Sequence, residues 1–152
     1  MTDSTYMASI YRLQAVNFSQ SAKRLNASFG WDLDLSPASI DSLPFYFLIS
    51  HTTELLLKSA LLKRGFSEND LKKFVYGHNL IALLEKLQGK GVSVTSESAI
   101  LIRGLNSQHQ NHALRYTALV DDGQKTYMPP PALVFAMLDE LLLLTRISTQ
   151  GV

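Results

Sequence analysis

Apolar residues recur every three or four positions along most of the chain, which is the spacing of an amphipathic helix. The pattern predicts helices over residues 3–28, from residue 43 or 44 to Gly65, over 67–74, over 80–88, from residue 95 or 96 to 115, and over 131–148. The few stretches with strand character are too short to form a sheet. We therefore expect an all-α fold, in which residues 1–152 form a single domain built as an up-and-down bundle of about four to five long helices.

Three of the predicted helices begin after residues that favour the N-cap position, namely Ser67, Asn79 or His78, and Thr95 or Ser96. In the first helix the apolar side is expected to follow Tyr6, Ile10, Leu13, Val16 or Asn17, and Ala22 or Leu25. The last helix is apolar almost throughout, which predicts burial on more than one of its sides.

Three ionisable residues of the second helix, His51, Glu54 and Lys58, lie on the same predicted side as its apolar residues Phe47, Leu48, Leu55, Leu61 and Leu62. The opposite side carries Thr52, Ser59, Lys63 and Arg64. Buried charges must be paired, and the Glu54–Lys58 spacing allows these two to pair. His78 joins them if the helices at Tyr46 and Leu80 pack antiparallel, or else caps the second of these helices. The cluster is interpreted either as a structural lock or as a polar cleft for a ligand or RNA.

A second polar group runs from Arg103 to Arg115 and contains His109 and His112. It is either a solvated helix face or, because Gln, Asn and His are poor choices for such a face, a cleft or subunit interface. Histidine transfers protons near neutral pH, and arginine stabilises phosphate charge, so the pair suits RNA cleavage by the internal 2′-OH. His109 and His112 are spaced to share a metal ion, but the HExxH pattern is absent, and no metal site is predicted.

The composition is that of an ordinary globular protein, with 46% hydrophobic and 18% charged residues. A net charge of +1 gives no global field for nonspecific nucleic-acid binding, and the lack of cysteine excludes disulfides and thiolate metal sites. The N-terminus lacks the pattern of a signal peptide. The apolar stretch from Leu133 to Leu144 is short and contains Asp139 and Glu140, so we do not expect it to span a membrane. We expect a cytoplasmic location.

Three segments together resemble the HEPN superfamily of bacterial helical bundles: ELLLKSALLKRG from Glu54, YGHNLIALL from Tyr76, and a polar helix that ends in ALRYT. The resemblance covers roughly residues 45 to 146 in the order and nature of the elements. It implies a HEPN-like bundle. In that family an Arg and a His separated by four to six residues mark metal-independent ribonucleases, usually homodimeric toxins or antiphage effectors. Members without the motif bind ligands or partners.

Arg103 and His109 match this motif as RGLNSQH, and the resemblance implies that they are the catalytic pair. Active members tend to have a polar residue where this chain has Gly104. On a straight helix the two side chains would point about 120° apart, so the helix must bend near Gly104 or the pair must act across a dimer axis. The substrate would be held by neighbouring polar and aromatic residues, namely Asn106, Gln110, His112, Arg115 and Tyr116.

Three hypotheses of different classes follow. The first is a cofactor-independent, metal-independent RNA endonuclease with a toxin or antiphage role, acting as a homodimer on single-stranded RNA. The second is a non-catalytic HEPN-like module that binds a nucleotide, RNA or a protein such as an antitoxin-like or transferase partner. The third hypothesis is purely structural, namely a helical domain without a ligand. Arg103 and His109 in one cleft would favour the enzyme, whereas an ion-paired Arg103 and a solitary surface His109 would favour the module.

Overall fold

The computed structural model describes residues 3–28, 42–73, 75–110 and 127–146, and these ranges contain helices and no strand. The helices are α1 (Asp3–Ser28), α2 (Ser42–Leu62), α3 (Glu68–Leu71), α4 (Leu80–Gly89), α5 (Ser96–Gln110) and α6 (Pro131–Leu144). Because α3 is a single turn, five long helices pack together, which confirms the predicted all-α bundle. Within the described ranges, no helix is both long and apolar enough to cross a bilayer.

Helix α2 lies at the centre of the bundle and packs against α1, α4, α5 and α6. Its side chains are therefore buried around nearly the whole circumference. Thr52 and Ser59, which the sequence analysis put opposite the apolar side, are fully buried. The hydroxyl of Thr52 donates to the carbonyl of Leu48 and that of Ser59 to the carbonyl of Ala8, so burial leaves neither hydroxyl unpaired. The prediction of one apolar and one polar side was wrong for this helix, because it has neighbouring helices on all sides.

Helix α1 contacts α2 through three fully buried alanines at seven-residue intervals, Ala8, Ala15 and Ala22. Small residues at this spacing let two helix backbones approach closely, and the Ser59–Ala8 hydrogen bond of 2.8 Å joins the two helices directly. The predicted apolar side of α1 was wrong at Tyr6 and Leu13, both more than half exposed. Ala22, one of the predicted positions, is buried, but Ala8 and Ala15 were missed because alanine carries little hydrophobic signal.

Side chains at the helix starts confirm the predicted caps. The hydroxyl of Ser67 accepts from the backbone N–H of Asp70, and the side chain of Asn79 accepts from the N–H of Ala82. Thr95 accepts from the N–H of Ser98 in the first turn of α5. Of the alternatives left open at α4, the side chain of Asn79 is the cap. Helix α3 ends at Leu71, earlier than predicted.

Helices α5 and α6 run antiparallel. Glu140, late in α6, accepts hydrogen bonds from Thr95 and Ser98 at the start of α5, while Tyr127, just before α6, bonds Gln108 near the end of α5. The predicted burial of α6 on more than one side holds only in part, because Val134, Met137, Leu138 and Leu141 form a single buried stripe. Leu133 and Leu143 are about half exposed on the outer side.

Candidate functional site

The carboxylate of Glu54, buried in the middle of α2, is the centre of a four-residue polar cluster. Its Oε1 accepts from the ammonium of Lys58 at 2.5 Å, one turn further along the helix. Its Oε2 lies 3.1 Å from Nδ1 of His78 and 2.6 Å from Nε2 of His109. We call Glu54, Lys58, His78 and His109 the Glu54 cluster. The predicted burial and pairing of Glu54 and Lys58 are confirmed.

Three separate parts of the chain supply the cluster. Lys58 also donates to the carbonyl of Gly77 at 2.9 Å, which ties the turn before α4 to α2 and brings His78 over the carboxylate. His109 reaches it from the last turn of α5. The two imidazole rings meet edge to face with centroids 5.8 Å apart. The cluster therefore joins α2, α4 and α5 at one buried point.

Glu54 is ionised near neutral pH. Burial raises its pKa, but the hydrogen bond from His109, the charge of Lys58 and the bonds from Lys58 and His78 together outweigh it and lower the pKa to about 2. An ionised carboxylate can only accept hydrogen bonds, so Nδ1 of His78 and Nε2 of His109 each carry a hydrogen. This arrangement gives each imidazole a defined proton position. It also presents three potential metal-ligand atoms to one small volume.

His51, predicted as a member of this cluster, instead packs against aromatic rings of α1 and α2. Its ring meets Phe18 of α1 edge to face, with centroids 4.9 Å apart, and stacks on Phe47 with centroids 6.0 Å apart. The physical reason is that a spacing of three residues allows two side chains to share a face without requiring contact, and α1 covers His51. The structure puts His109 in the position that the sequence analysis gave to His51.

The structure does not bring Arg103 and His109 together within one chain. The Arg103 side chain is 44% exposed and forms an ion pair with Glu85 of α4, with a nitrogen–oxygen distance of 3.3 Å. The His109 side chain is 3% exposed and bonded to Glu54. An ion-paired Arg103 is the arrangement expected for the non-catalytic module. His109 matches neither hypothesis, because it is buried rather than solitary on the surface.

The buried polar residues of α5 mostly hold neighbouring segments of the same chain. Oδ1 of Asn106 accepts from the backbone N–H groups of Leu80 and Ile81, at 2.7 and 3.4 Å, and so caps α4 from a neighbouring helix. Its Nδ2 donates to the side chain of Gln110, which is itself exposed. Neither open interpretation of this run, a solvated face or a cleft, describes Asn106. Its carboxamide is engaged by the protein rather than open to a substrate.

Three of the predicted substrate-binding residues, His112, Arg115 and Tyr116, lie outside the described residues. The prediction that they hold a substrate therefore stays a prediction. Gln108, which the sequence analysis did not select, is buried and makes two hydrogen bonds of 2.9 Å with the backbone of Tyr127. The only sequence signal for it was the general one, that Gln is an uncommon choice for an exposed helix face.

The metal-capable set also differs from the one considered in the sequence. Glu54, His78 and His109 come from α2, the turn before α4, and α5. The pair considered from the sequence, His109 and His112, lies on a single predicted helix. Ligands from three elements have no characteristic sequence spacing, so no motif could reveal them. A search for similar proteins adds no identification: no protein family, curated protein sequence or solved structure matches this chain. The described residues define an all-helical bundle in which a buried carboxylate pairs with two histidines.

Proposed function

We propose that this chain is a non-catalytic, HEPN-like protein-binding module. The observation that supports the proposal is the separation of the two residues that a HEPN-type ribonuclease would require. Arg103 is directed to Glu85 at the surface, whereas the imidazole of His109 is buried against Glu54. The resemblance to the superfamily concerns the bundle and its helices, and this separation favours its non-catalytic members.

The chemistry of RNA cleavage explains why this separation matters. A histidine that deprotonates the 2′-OH must come within hydrogen-bonding distance of that oxygen, and an arginine must contact the same phosphate. For His109 to reach a substrate it would have to leave the Glu54 carboxylate, which would lose its shortest imidazole contact, 2.6 Å. Removing one partner from a buried charged network costs roughly 3–5 kcal/mol. That cost opposes catalysis by His109.

The proposed contact surface is the outer side of the antiparallel pair α5 and α6. Ile100 of α5 is 64% exposed, and Leu133 and Leu143 of α6 are 52% and 55% exposed. A contiguous apolar patch across adjoining helices is typical of a protein-interaction surface, and we propose that these three side chains form such a patch. The partner we propose first is a second copy of the chain, because a twofold axis brings the same helix of two molecules together and buries both copies of each side chain.

An RNA-cleavage assay tests the non-catalytic part of the proposal. Purified protein is incubated with labelled single-stranded RNA in EDTA, beside the Arg103→Ala variant. We expect intact RNA in both samples at high protein concentration. Cleavage by wild type that disappears in Arg103→Ala and in His109→Ala, each shown by circular dichroism to be folded, would overturn the proposal and establish the ribonuclease. The binding part is tested by self-association of wild type and its loss in Leu133→Glu.

A further inference from the structure

We infer that Glu54, His78 and His109 form a binding site for a divalent first-row transition-metal ion such as Zn²⁺. One carboxylate oxygen and two imidazole nitrogens are the donors, and the three atoms lie within 4.8 Å of one another. Two histidines and one carboxylate are an established ligand set for such ions, with the remaining coordination position open to water. This inference is independent of the proposed protein-binding function.

The two distances from the carboxylate to the imidazole nitrogens are close to those of a metal-bound state. Oε2 of Glu54 is 3.1 Å from Nδ1 of His78 and 2.6 Å from Nε2 of His109. Metal–ligand bonds of about 2.0–2.2 Å in a tetrahedral site place the donor atoms roughly 3.3–3.6 Å apart. The two histidine nitrogens therefore need to move away from the carboxylate by less than about 1 Å. The ion would take the place of the two hydrogens that the imidazole nitrogens now donate to Oε2.

His78 provides the access that a buried site needs. Its side chain is 42% exposed, whereas those of Glu54 and His109 are almost completely buried. It belongs to the turn before α4 rather than to a helix, so a small movement does not disturb helical hydrogen bonds. An ion can therefore enter past His78, and the open coordination position would face the solvent on that side.

Lys58 weakens binding at the site, and the nitrogen donors set its selectivity. Its ammonium contacts Oε1 and leaves Oε2 available, but its positive charge opposes a cation nearby. Nitrogen donors favour Zn²⁺, Co²⁺ and Ni²⁺ over Mg²⁺ and Ca²⁺, which prefer oxygen ligands. Binding requires the ligating nitrogen of each imidazole to be without a hydrogen, so each ring must adopt the tautomer that carries its hydrogen on the other nitrogen.

The test uses the full chain without a histidine tag, treated with chelator and then dialysed. Zn²⁺ binding is measured by titration calorimetry, and Co²⁺ binding by the visible absorption of a four-coordinate ion. We expect one ion per chain, no competition from Mg²⁺, and at least about tenfold weaker binding in His78→Ala, which loses a ligand. Glu85→Gln is the control, because it removes a carboxylate of the surface ion pair outside the cluster.

A second variant separates metal binding from a structural role. Lys58→Gln keeps all three ligands and removes the competing ammonium, so it should bind Zn²⁺ more tightly than wild type, and Zn²⁺ should raise its thermal midpoint more. A cluster that is only a hydrogen-bonded lock would give no Zn²⁺ or Co²⁺ binding in wild type, or equal binding in wild type and folded His78→Ala. Either of these results overturns the inference.

Discussion

The ring of Tyr127 occupies the space that a side chain at position 104 would need. A Cβ atom built on Gly104 would lie 2.7 Å from two ring carbons of Tyr127, well inside van der Waals contact. One helical turn further on, Gln108 holds the backbone of Tyr127 with two hydrogen bonds, and the hydroxyl of Tyr46 donates to the carbonyl of Pro129 at 2.6 Å. The absence of a side chain at Gly104 therefore allows the segment before α6 to pack closely against α5.

We predict that Gly104→Ala lowers the free energy of unfolding by about 1 kcal/mol in the wild-type background, because displacing the ring outweighs the better helix propensity of Ala. In a Tyr127→Ala background the same change should instead stabilise the protein by up to about 1 kcal/mol. Chemical denaturation of the four proteins in this double-mutant cycle measures the coupling. Equal effects of Gly104→Ala in the two backgrounds would show that the packing of the Tyr127 ring does not require glycine at position 104.

The Glu54 cluster gives the largest expected effect of a single substitution. Glu54→Ala removes the partner of Lys58, His78 and His109 at once and should lower the free energy of unfolding by roughly 3 kcal/mol or more. Glu85→Ala is the matched control, because it breaks an ion pair with Arg103 at the surface and should cost no more than about 1 kcal/mol. Denaturant titration of both variants provides the comparison. A Glu54→Ala variant as stable as Glu85→Ala would contradict a buried network.

The predictable parts of this molecule depend on local interactions. Ser67, Asn79 and Thr95 could be recognised as capping residues because a cap bonds a backbone N–H only three residues away. The pairing of Glu54 with Lys58 is likewise local, one turn apart on the same helix. The all-helical architecture follows from the same short-range periodicity. None of these inferences requires knowing which helices are neighbours.

The parts that could not be predicted depend on neighbouring helices. His109 bonds a residue 55 positions earlier, and Asn106 caps a helix that begins 26 positions earlier, so their partners are not apparent from local spacing. The α1–α2 contact relies on Ala8, Ala15 and Ala22, whose role is close backbone approach rather than hydrophobicity. Of these three alanines, the predicted apolar side of α1 included Ala22, as an alternative to Leu25. It omitted Ala8 and Ala15 and included Leu13, which the structure exposes.

Asn106 offers a test of capping between helices. Asn106→Ala would leave the backbone N–H groups of Leu80 and Ile81 without their acceptor, and we expect a loss of about 1–3 kcal/mol in the free energy of unfolding. Gln110→Ala is the control, since it removes the exposed residue that Asn106 bonds and leaves the cap in place. Hydrogen exchange should show faster exchange of the first amides of α4 in Asn106→Ala alone. Unchanged exchange there would exclude the capping role.

Acid should weaken the contact between α5 and α6 through Glu140. Burial raises the pKa of this carboxyl, but hydrogen bonds from Ser98 and Thr95 lower it overall from its ordinary value of 4.5. A carboxyl with a lowered folded-state pKa stabilises the fold above pH 4.5 and loses that contribution as the pH falls further. Glu140→Gln should therefore be less stable than wild type at neutral pH, and the difference should shrink below about pH 4.5. Denaturation curves across this range measure it, and a difference independent of pH would contradict it.

Self-association is expected to depend on the outer side of α6. Leu133 and Leu13 are leucines of nearly equal exposure, 52% and 57%, but Leu133 lies on α6 and Leu13 on α1. If α5 and α6 form a twofold interface, Leu133→Glu buries a carboxylate in each of its two copies and should dissociate the dimer. Leu13→Glu adds the same charge outside that interface and should leave the dimer intact.

Sedimentation equilibrium at tens of micromolar protein, roughly the range that detects modest affinity, distinguishes the two variants. We expect wild type and Leu13→Glu to sediment as dimers, and Leu133→Glu as a monomer of 16.9 kDa. A monomeric wild type would remove the homodimer from the proposed function, and the α5–α6 surface would then need a different protein as its partner. If Leu13→Glu alone dissociates the dimer, the interface lies on α1, where Tyr6 and Leu13 are both exposed, and its assignment to α6 is wrong.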